Sequence, residues 1–150
     1  MKDAGGFTNR RPLCSDPDVY AGFDADARKA VRTAMGGLQF DFTSLKNRKV
    51  MIKPNAGRFV GPRLGINTSP EAVAGVLDFF LEHGVVNLCV AESPILGVRA
   101  LDALEKCGIS AVARERGIPL VDLDAEKPVT VNIPNARAVN SLKVCRKVLE

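Results

Sequence analysis

Polar side chains that could cooperate in binding follow two apolar runs of this chain. Lys53 and Asn55 come just after the apolar residues at 50–52, and Glu92 and Ser93 come after a second apolar run. Lys53 supplies positive charge and Asn55 a directional hydrogen bond, while Glu92 and Ser93 form a polar wall opposite. Because ligands bind beyond the carboxyl ends of parallel strands, the pattern predicts a site for an anionic small molecule or cofactor.

The same residues have a plainer interpretation. Pro54 and Pro94 lie just after the two runs, and proline ends a strand because it cannot donate to the hydrogen-bond ladder. The neighbouring polar residues would then simply face water. The sequence leaves both interpretations open.

A glycine-rich loop at 56–67 extends the candidate site. Its glycines recur every four residues, at Gly57, Gly61 and Gly65. The loop is longer than most strand-to-helix connections, and it leads through Thr68 and Ser69 into a helix N-terminus, where backbone N–H groups favour an anion. Arg58 and Arg63 add charge. A mobile surface loop is the alternative, and Glu71 would compete for the same N–H donors.

The segment 42–70 is strongly basic. It contains six Lys and Arg residues and no Asp or Glu, although the whole chain carries only +4. Nucleic-acid binding would require stacking aromatics among the cations, and only Phe59 is interleaved with them. The sequence therefore does not favour nucleic acid as a partner.

Strands and helices alternate along the chain, which predicts an α/β fold with a mainly parallel sheet and helices on both faces. The predicted strands are Asp18–Phe23, Lys49–Lys53, Val85–Ala91, Pro119–Leu123 and Val129–Ile133. The predicted helices are Asp24–Met35, Pro70–His83, Leu96–Lys106 (entered through a loop) and Ser110–Arg116. A further pattern begins at Leu142–Leu149. The helix at Pro70 has the clearest apolar period, with either a Thr68–Glu71 capping box or a Ser69 cap followed by Pro70.

Bulk properties predict one α/β domain at 17–150 behind a flexible tail at 1–16. Hydrophobic residues make up 46% of the chain and charged residues 25%, which is ordinary for a globular domain. No run reaches the roughly 18 apolar residues of a membrane helix, and the N-terminus lacks a secretory signal. We therefore expect a cytoplasmic protein without a membrane association.

The chain offers no clear metal or catalytic cluster. Its four cysteines show no C-x-x-C spacing, so we expect no cofactor bound by this chain alone. The single histidine, His83, falls in the last turn of the Pro70 helix, where it can interact with the carbonyl end. Asp122, Asp124 and Glu126 could bind a metal, but a polar strand-to-turn junction explains them better.

Several motifs in series resemble domain-of-unknown-function family 362. They are V-M-I-K-P-N at 50–55, T-S-P-E-A-V-A-G-V-L-D-F-F-L-E-H-G at 68–84, V-A-E-S-P at 90–94, L-E-K-C-G-I at 104–109, A-R-E-R-G-I-P-L-V-D-L-D at 113–124 and S-L-K-V-C-R-K-V-L-E at 141–150. The resemblance covers Asp18 to Glu150. It implies an α/β domain, often accompanied by a ferredoxin-type segment whose cysteines bind iron–sulfur clusters.

Two departures limit what the resemblance implies. Ser69 stands where family members often have a histidine, and the cluster cysteines are absent. The family pattern continues beyond a segment like 141–150, so the chain resembles an incomplete, N-terminal part of a larger domain. An iron–sulfur cluster would then belong to a missing C-terminal segment or to a partner.

The sequence thus favours a domain that binds an anionic small molecule or cofactor within a redox-associated, iron–sulfur-linked protein. The candidate ligand-binding residues are Lys53, Asn55, Arg58, Arg63, Thr68, Ser69, Glu92 and Ser93. One alternative is a non-catalytic interaction module that docks an iron–sulfur protein through the basic loop. A second alternative is nucleic-acid binding.

Overall fold

Three parallel strands form the main sheet of the protein. The computed structural model describes residues 18–125 and 127–149. Strands β1 (Val50–Ile52), β2 (Leu88–Glu92) and β3 (Leu120–Asp122) lie in the order β1-β2-β3. Ile52 pairs with Val90 and Glu92 with Asp122, so both ladders run parallel. The predicted α/β fold with a mainly parallel sheet is confirmed.

Four helices accompany the sheet. They are α1 (Ala27–Gly37), α2 (Pro70–Glu82), α3 (Ala100–Lys106) and α4 (Ile109–Glu115). Helix α2 connects β1 to β2, whereas α3 and α4 together connect β2 to β3. Helix α2 packs against α1 and α4, and α3 packs against α4, β2 and β3. The four predicted helices are confirmed to within a few residues at each end.

Helix α2 forms where its sequence provides a start, an apolar face and a stop. The Ser69 hydroxyl accepts the Ala72 N–H at 3.1 Å, and Pro70 occupies the first helical position. Ser69 and Pro70 thus begin the helix, and the Thr68–Glu71 capping box is not formed. Gly84 follows with φ of +76°, the left-handed conformation that glycine adopts without strain.

The core lies between α2, α3, α4 and the central strand. All five residues of β2 are buried, and fully buried side chains surround it, including Leu77, Val85, Leu104 and Ile109. Strand β1 is only half-buried along its length because it lies at the sheet edge.

The predicted strand at Asp18–Phe23 is wrong. This segment has no regular secondary structure and lies against α1 rather than beside another strand. A Cβ added at Gly22 would come 1.9 Å from the Ala30 carbonyl oxygen. Gly22 therefore allows the chain to cross the helix backbone closely, and this contact replaces strand pairing.

A hairpin follows the main sheet. Strand β4 (Pro128–Asn132) pairs antiparallel with β5 (Ser141–Cys145) in a separate two-stranded sheet. The strand predicted at Val129–Ile133 is confirmed, but it does not join the parallel sheet. Strand β5 begins the pattern predicted at Leu142–Leu149, and a short 3-10 helix (Arg146–Val148) follows it.

The tail predicted at 1–16 and the candidate metal-binding residue Glu126 both lie outside the described residues. Within 18–125 and 127–149, no helix combines the length and apolar character needed to cross a bilayer.

Candidate functional site

Lys53 and Glu92 meet at the carboxyl ends of β1 and β2. The parallel register pairs Ile52 with Val90, so the residues that follow these two lie side by side. The Lys53 ammonium lies 2.6 Å from Glu92 Oε1. The Glu92 side chain is 1% exposed and that of Lys53 is 52% exposed. The two strand ends therefore lie close together, as predicted. An ion pair joins them, with one buried and one half-exposed partner.

Backbone N–H groups complete the surroundings of the Glu92 carboxylate. Ala56 N–H donates to Oε2 at 2.5 Å, and Ser93 N–H donates to Oε1 at 2.8 Å. Burial acts to raise the pKa of Glu92, but the hydrogen bonds from Ala56, Lys53 and Ser93 together outweigh it and hold the pKa below its ordinary value. Glu92 is therefore a buried, ionised acceptor that positions both Lys53 and the start of the loop.

Asn55 and Thr68 pair with each other across the ends of the loop. Asn55 N–H donates to Thr68 Oγ1 at 2.9 Å, and Thr68 N–H donates to the Asn55 carbonyl at 2.7 Å. The Asn55 side-chain Nδ2 donates to the Ile66 carbonyl at 3.0 Å. Both predicted ligand-binding residues therefore fix the loop, and each uses only part of its hydrogen-bonding capacity in doing so.

Asn67 is a site residue that the sequence did not reveal. It is 8% exposed, and its Nδ2 donates to the Arg58 carbonyl at 2.8 Å. Its Oδ1 accepts the Arg58 N–H at 3.4 Å, so one carboxamide pairs with both backbone polar groups of Arg58 across the loop. Asn side chains commonly replace backbone partners in turns. An Asn late in a glycine-rich loop is the one signal that could have identified it.

Ser69 and Ser93 have other roles in the structure. Ser69 caps α2, as described above, and the hydroxyl of exposed Ser93 donates to Asp124 Oδ1 at 2.7 Å. The Asp124 N–H in turn donates to Asp122 Oδ1 at 2.9 Å. The two aspartates therefore order the turn after β3.

Arg58 and Arg63 are exposed on the loop and form no ion pair within the described ranges. Between them Phe59 is 57% exposed, and the Lys106 ammonium lies 5.4 Å from its ring centroid. Ile95 N–H donates to the Gly57 carbonyl at 3.3 Å, which joins this loop to the segment after β2. The result is an exposed surface that is both basic and apolar.

A cavity of about 250 Å³ lies between the end of β1 and α2. Its apolar lining consists of Ile52, Pro54, Ala72, Val73 and Val76. Its polar lining consists of Lys53, Asn55 and Thr68. The structure thus divides the eight predicted residues: three line the cavity, Glu92 supports Lys53, and Arg58, Arg63, Ser69 and Ser93 do not line it.

Other reactive side chains lie apart from this cavity. His83 Nδ1 is 2.7 Å from the Phe79 carbonyl, and its ring stacks on Phe79 at 4.2 Å, as its position at the helix end predicted. Cys89 and Cys107 are buried, and burial raises the pKa of both thiols. Across 18–125 and 127–149, His, Cys, Asp and Glu do not assemble into a group of three suited to a metal ion.

The candidate site lies within a region that matches a known protein family. This region includes the end of β1, the loop, α2 and β2. A family model described as "Domain of unknown function (DUF362)" matches residues 50–150, which is more than half of the chain. The chain belongs to this family. No curated protein and no solved structure matches it. The DUF362 description assigns no activity, so the iron–sulfur association stays a prediction.

Proposed function

We propose that this DUF362 domain binds a small anionic organic molecule in the cavity at the end of β1. The observation that carries the proposal is the lining: a lysine, a carboxamide and a hydroxyl at one cavity, with five apolar side chains beside them. Ligand sites commonly combine an apolar pocket with a few polar groups. The position beyond the carboxyl end of a parallel strand supports the same assignment.

The cavity volume supports a ligand of metabolite size. Pockets for drug-sized molecules span about 300–1,000 Å³, whereas this cavity holds about 250 Å³. A cavity of about 250 Å³ suits a molecule of roughly ten non-hydrogen atoms or fewer better than it suits a dinucleotide. The apolar wall at Ala72, Val73 and Val76 contributes about 0.8 kcal/mol for each methylene that it buries.

The charge preference of the site is small because Glu92 already neutralises Lys53. At an effective dielectric constant of about 20, an anion about 4 Å from the ammonium gains about 4.2 kcal/mol. The same anion about 6 Å from the Glu92 carboxylate loses about 2.8 kcal/mol. The net gain of about 1.4 kcal/mol corresponds to about tenfold in Kd, and solvent around half-exposed Lys53 reduces it further.

Each supporting residue has a defined role in this proposal. Lys53 contacts the ligand anion while Glu92 holds its ammonium in place. Asn67 and the Asn55–Thr68 pair keep the loop closed over the strand end. The helix N-terminus contributes less than a free one would, because Pro70 has no N–H and the Ala72 N–H is bonded to Ser69.

A cavity-filling variant tests the proposal. Butanoate binding is followed by isothermal titration calorimetry in the unmodified protein, in Val76→Phe and in Val86→Phe. Val76 lines the cavity, whereas Val86 is 72% exposed and does not line it, so it provides a matched control. We expect Val76→Phe to abolish binding and Val86→Phe to leave Kd unchanged. Equal binding by all three proteins would refute the assignment of the cavity.

A second candidate function is docking of an acidic, iron–sulfur-containing protein in a redox system. The observation that favours it is the exposed surface formed by Phe59, Ile95 and Leu96, which are 57%, 46% and 103% exposed. Arg58 and Arg63 lie on the same loop as Phe59 and form no ion pair among the described residues. Exposed apolar patches with charged rims are typical of interaction sites. The cluster would belong to the partner, since the described residues hold no cluster ligands in a group.

Charge reversal separates docking from small-molecule binding. In Arg58→Glu with Arg63→Glu, docking to an isolated iron–sulfur partner should be lost while butanoate affinity is retained. The control is Lys143→Glu, which reverses the charge of an exposed lysine on strand β5 of the hairpin. Unchanged partner affinity after the double reversal would contradict docking through this surface.

Nucleic-acid binding and a cytoplasmic location stay predictions. Phosphate contacts would make affinity fall steeply with salt, so binding that is flat between low and moderate salt argues against a nucleic-acid role.

A further inference from the structure

Strand β5 has an edge along which no other strand pairs in the described part of the chain. There, β4 and β5 form a sheet of two strands only. The Ile133 N–H donates to the Asn140 carbonyl at 2.9 Å, so these two residues form a hydrogen-bonded pair of the antiparallel ladder. Such pairs recur at every second residue. The residues between them on β5, which are Ser141, Lys143 and Cys145, therefore direct their N–H groups outward.

The outward groups of β5 form an almost complete hydrogen-bonding edge. Ser141 and Lys143 each present an N–H and a carbonyl, and Cys145 presents its N–H. The Cys145 carbonyl instead begins the short 3-10 helix. The outer edge of β4 is less suited to pairing, because Pro128 has no N–H. An unpaired strand edge can accept an extended peptide as a further strand.

One face of the hairpin is apolar and open. The cross-strand pairs Val129–Val144 and Val131–Leu142 place four aliphatic side chains on this face. None of the four is buried, and Leu142 is 52% exposed. Among the described residues, the two strands pack chiefly on each other. Because an isolated two-stranded hairpin is only marginally stable, a third strand beside Leu142 and Val144 would stabilise it.

The charge of the hairpin region favours an acidic strand. Residues 127–149 include no Asp or Glu but five cations, which are Lys127, Arg137, Lys143, Arg146 and Lys147. Lys143 is exposed on the face opposite Leu142 and Val144, because side chains alternate along a strand. An acidic residue directly across from Lys143 would form a favourable cross-strand pair. Nucleic acid fits this region less well, since 127–149 contains no aromatic side chain on which bases could stack.

We propose that β5 docks an extended acidic segment of a partner protein as a third, antiparallel strand. An Asp or Glu of that segment faces Lys143, and the apolar residues on either side of it lie beside Leu142 and Val144. Backbone hydrogen bonds to the β5 edge supply affinity, and the alternation of side chains supplies specificity. A second copy of the chain fits less well, because full two-fold pairing of β5 with itself sets Lys143 opposite Lys143. The proposal is independent of the ligand in the cavity at β1.

Matched peptides test strand addition, with binding followed in the backbone amide NMR spectrum of the whole protein. The probe is acetyl-Thr-Val-Glu-Val-Thr-amide, and its control carries Lys in place of Glu. We expect saturable shift changes at Ser141, Lys143 and Cys145, and a Kd about 2- to 30-fold lower for the glutamate peptide.

N-methylated peptides test the backbone contact itself. In the antiparallel pairing, the N–H of the central glutamate donates to the Lys143 carbonyl, whereas the N–H of the first valine faces away from β5. N-methylation of the glutamate should therefore abolish binding, and N-methylation of the first valine should leave it measurable. Equal loss from both modifications, or no saturable change at β5 with any peptide, would overturn the proposal.

A charge swap tests the place of Lys143. In Lys143→Glu the preference between the two peptides should invert. Arg58→Glu with Arg63→Glu is the control and should leave the preference unchanged at about 0.15 M salt, where distant charges are screened. The two docking surfaces thus give opposite responses, since reversal at Lys143 leaves docking through the loop intact. An unchanged preference in Lys143→Glu would overturn the proposal, as would a dimer of the peptide-free protein that excludes the peptide.

Discussion

Replacing Glu92 with glutamine tests how the strand ends and the loop are held together. The substitution preserves side-chain size but turns one acceptor oxygen into a donor NH2 group. The carboxylate now accepts from Ala56 N–H, Ser93 N–H and the Lys53 ammonium. The single side-chain oxygen of glutamine can accept on only one side. The new NH2 group then faces at least one of these three donors.

The expected loss follows from the burial of each donor. Ala56 is fully buried, so its N–H cannot turn to water, and an unsatisfied buried donor costs about 1–3 kcal/mol. The hydrogen bonds that remain have a neutral oxygen as acceptor instead of a charged one, and each becomes weaker by about 1 kcal/mol. Lys53 is half exposed and is rehydrated, so its charge adds little. We expect the free energy of unfolding to fall by about 2–4 kcal/mol.

Urea denaturation at neutral pH measures this loss, and Glu105→Gln is the matched control. Glu105 also pairs with an arginine, Arg114, but its side chain is 62% exposed. Exposed ion pairs contribute about 0–1 kcal/mol, so the control should change the free energy of unfolding by less than 1 kcal/mol. Equal effects of Glu92→Gln and Glu105→Gln would refute the buried-acceptor role.

Acid should reduce the difference between wild type and Glu92→Gln. The pKa of Glu92 is lower in the folded protein than its ordinary value of about 4.3. Its stabilising contribution is therefore complete above that value and is lost as the pH falls through the lower, folded pKa. Denaturation repeated below pH 4.3 should show the two proteins converging, and a constant difference would contradict an ionised Glu92.

Three further substitutions test the fold around the site. Gly22→Ala should lower the free energy of unfolding by about 1–3 kcal/mol because its Cβ would strike the backbone of α1. In the control Gly36→Ala, the added Cβ meets nothing within 4 Å, so the free energy of unfolding should rise by up to about 1 kcal/mol. A lower unfolding temperature for both variants would contradict the contact at Gly22. Ser69→Ala should cost about 1 kcal/mol in urea denaturation through loss of the α2 cap, and no change would show that Pro70 alone begins the helix. Asp78→Asn should lower the free energy of unfolding by about 1–2 kcal/mol, because it removes the charge from a pair in which the hydrogen bond from Arg116 lowers the pKa of Asp78. This contribution is complete above the ordinary aspartate pKa of about 3.9 and is lost as the pH falls further, through the lower pKa of the folded protein; a difference that does not shrink as the pH is lowered would contradict an ion pair.

Local sequence chemistry predicted the elements that carry their own signals. Ser69 and Pro70 mark the start of α2, as predicted. The apolar runs predicted the parallel strands because a crossover helix separates them. These features depend on neighbouring residues, so sequence alone was sufficient for them.

Features decided by distant contacts were missed. Residues 18–23 have strand-like composition, but the close approach of Gly22 to α1 decides their path. Similarly, the place of Asn67 late in a glycine-rich loop indicates a polar contact within the loop, but it does not show that the partner is Arg58. The sequence placed Lys53 and Glu92 near each other but treated them as independent ligand contacts, because the burial of Glu92 depends on β2 being the central strand.

The most direct test of the cavity as a binding site is a backbone amide NMR titration with butanoate. We expect saturable chemical-shift changes that are largest at Asn55, Thr68, Val73 and Val76, with one common Kd. Absence of saturable changes at these residues, or larger changes in the hairpin formed by β4 and β5, would contradict the account.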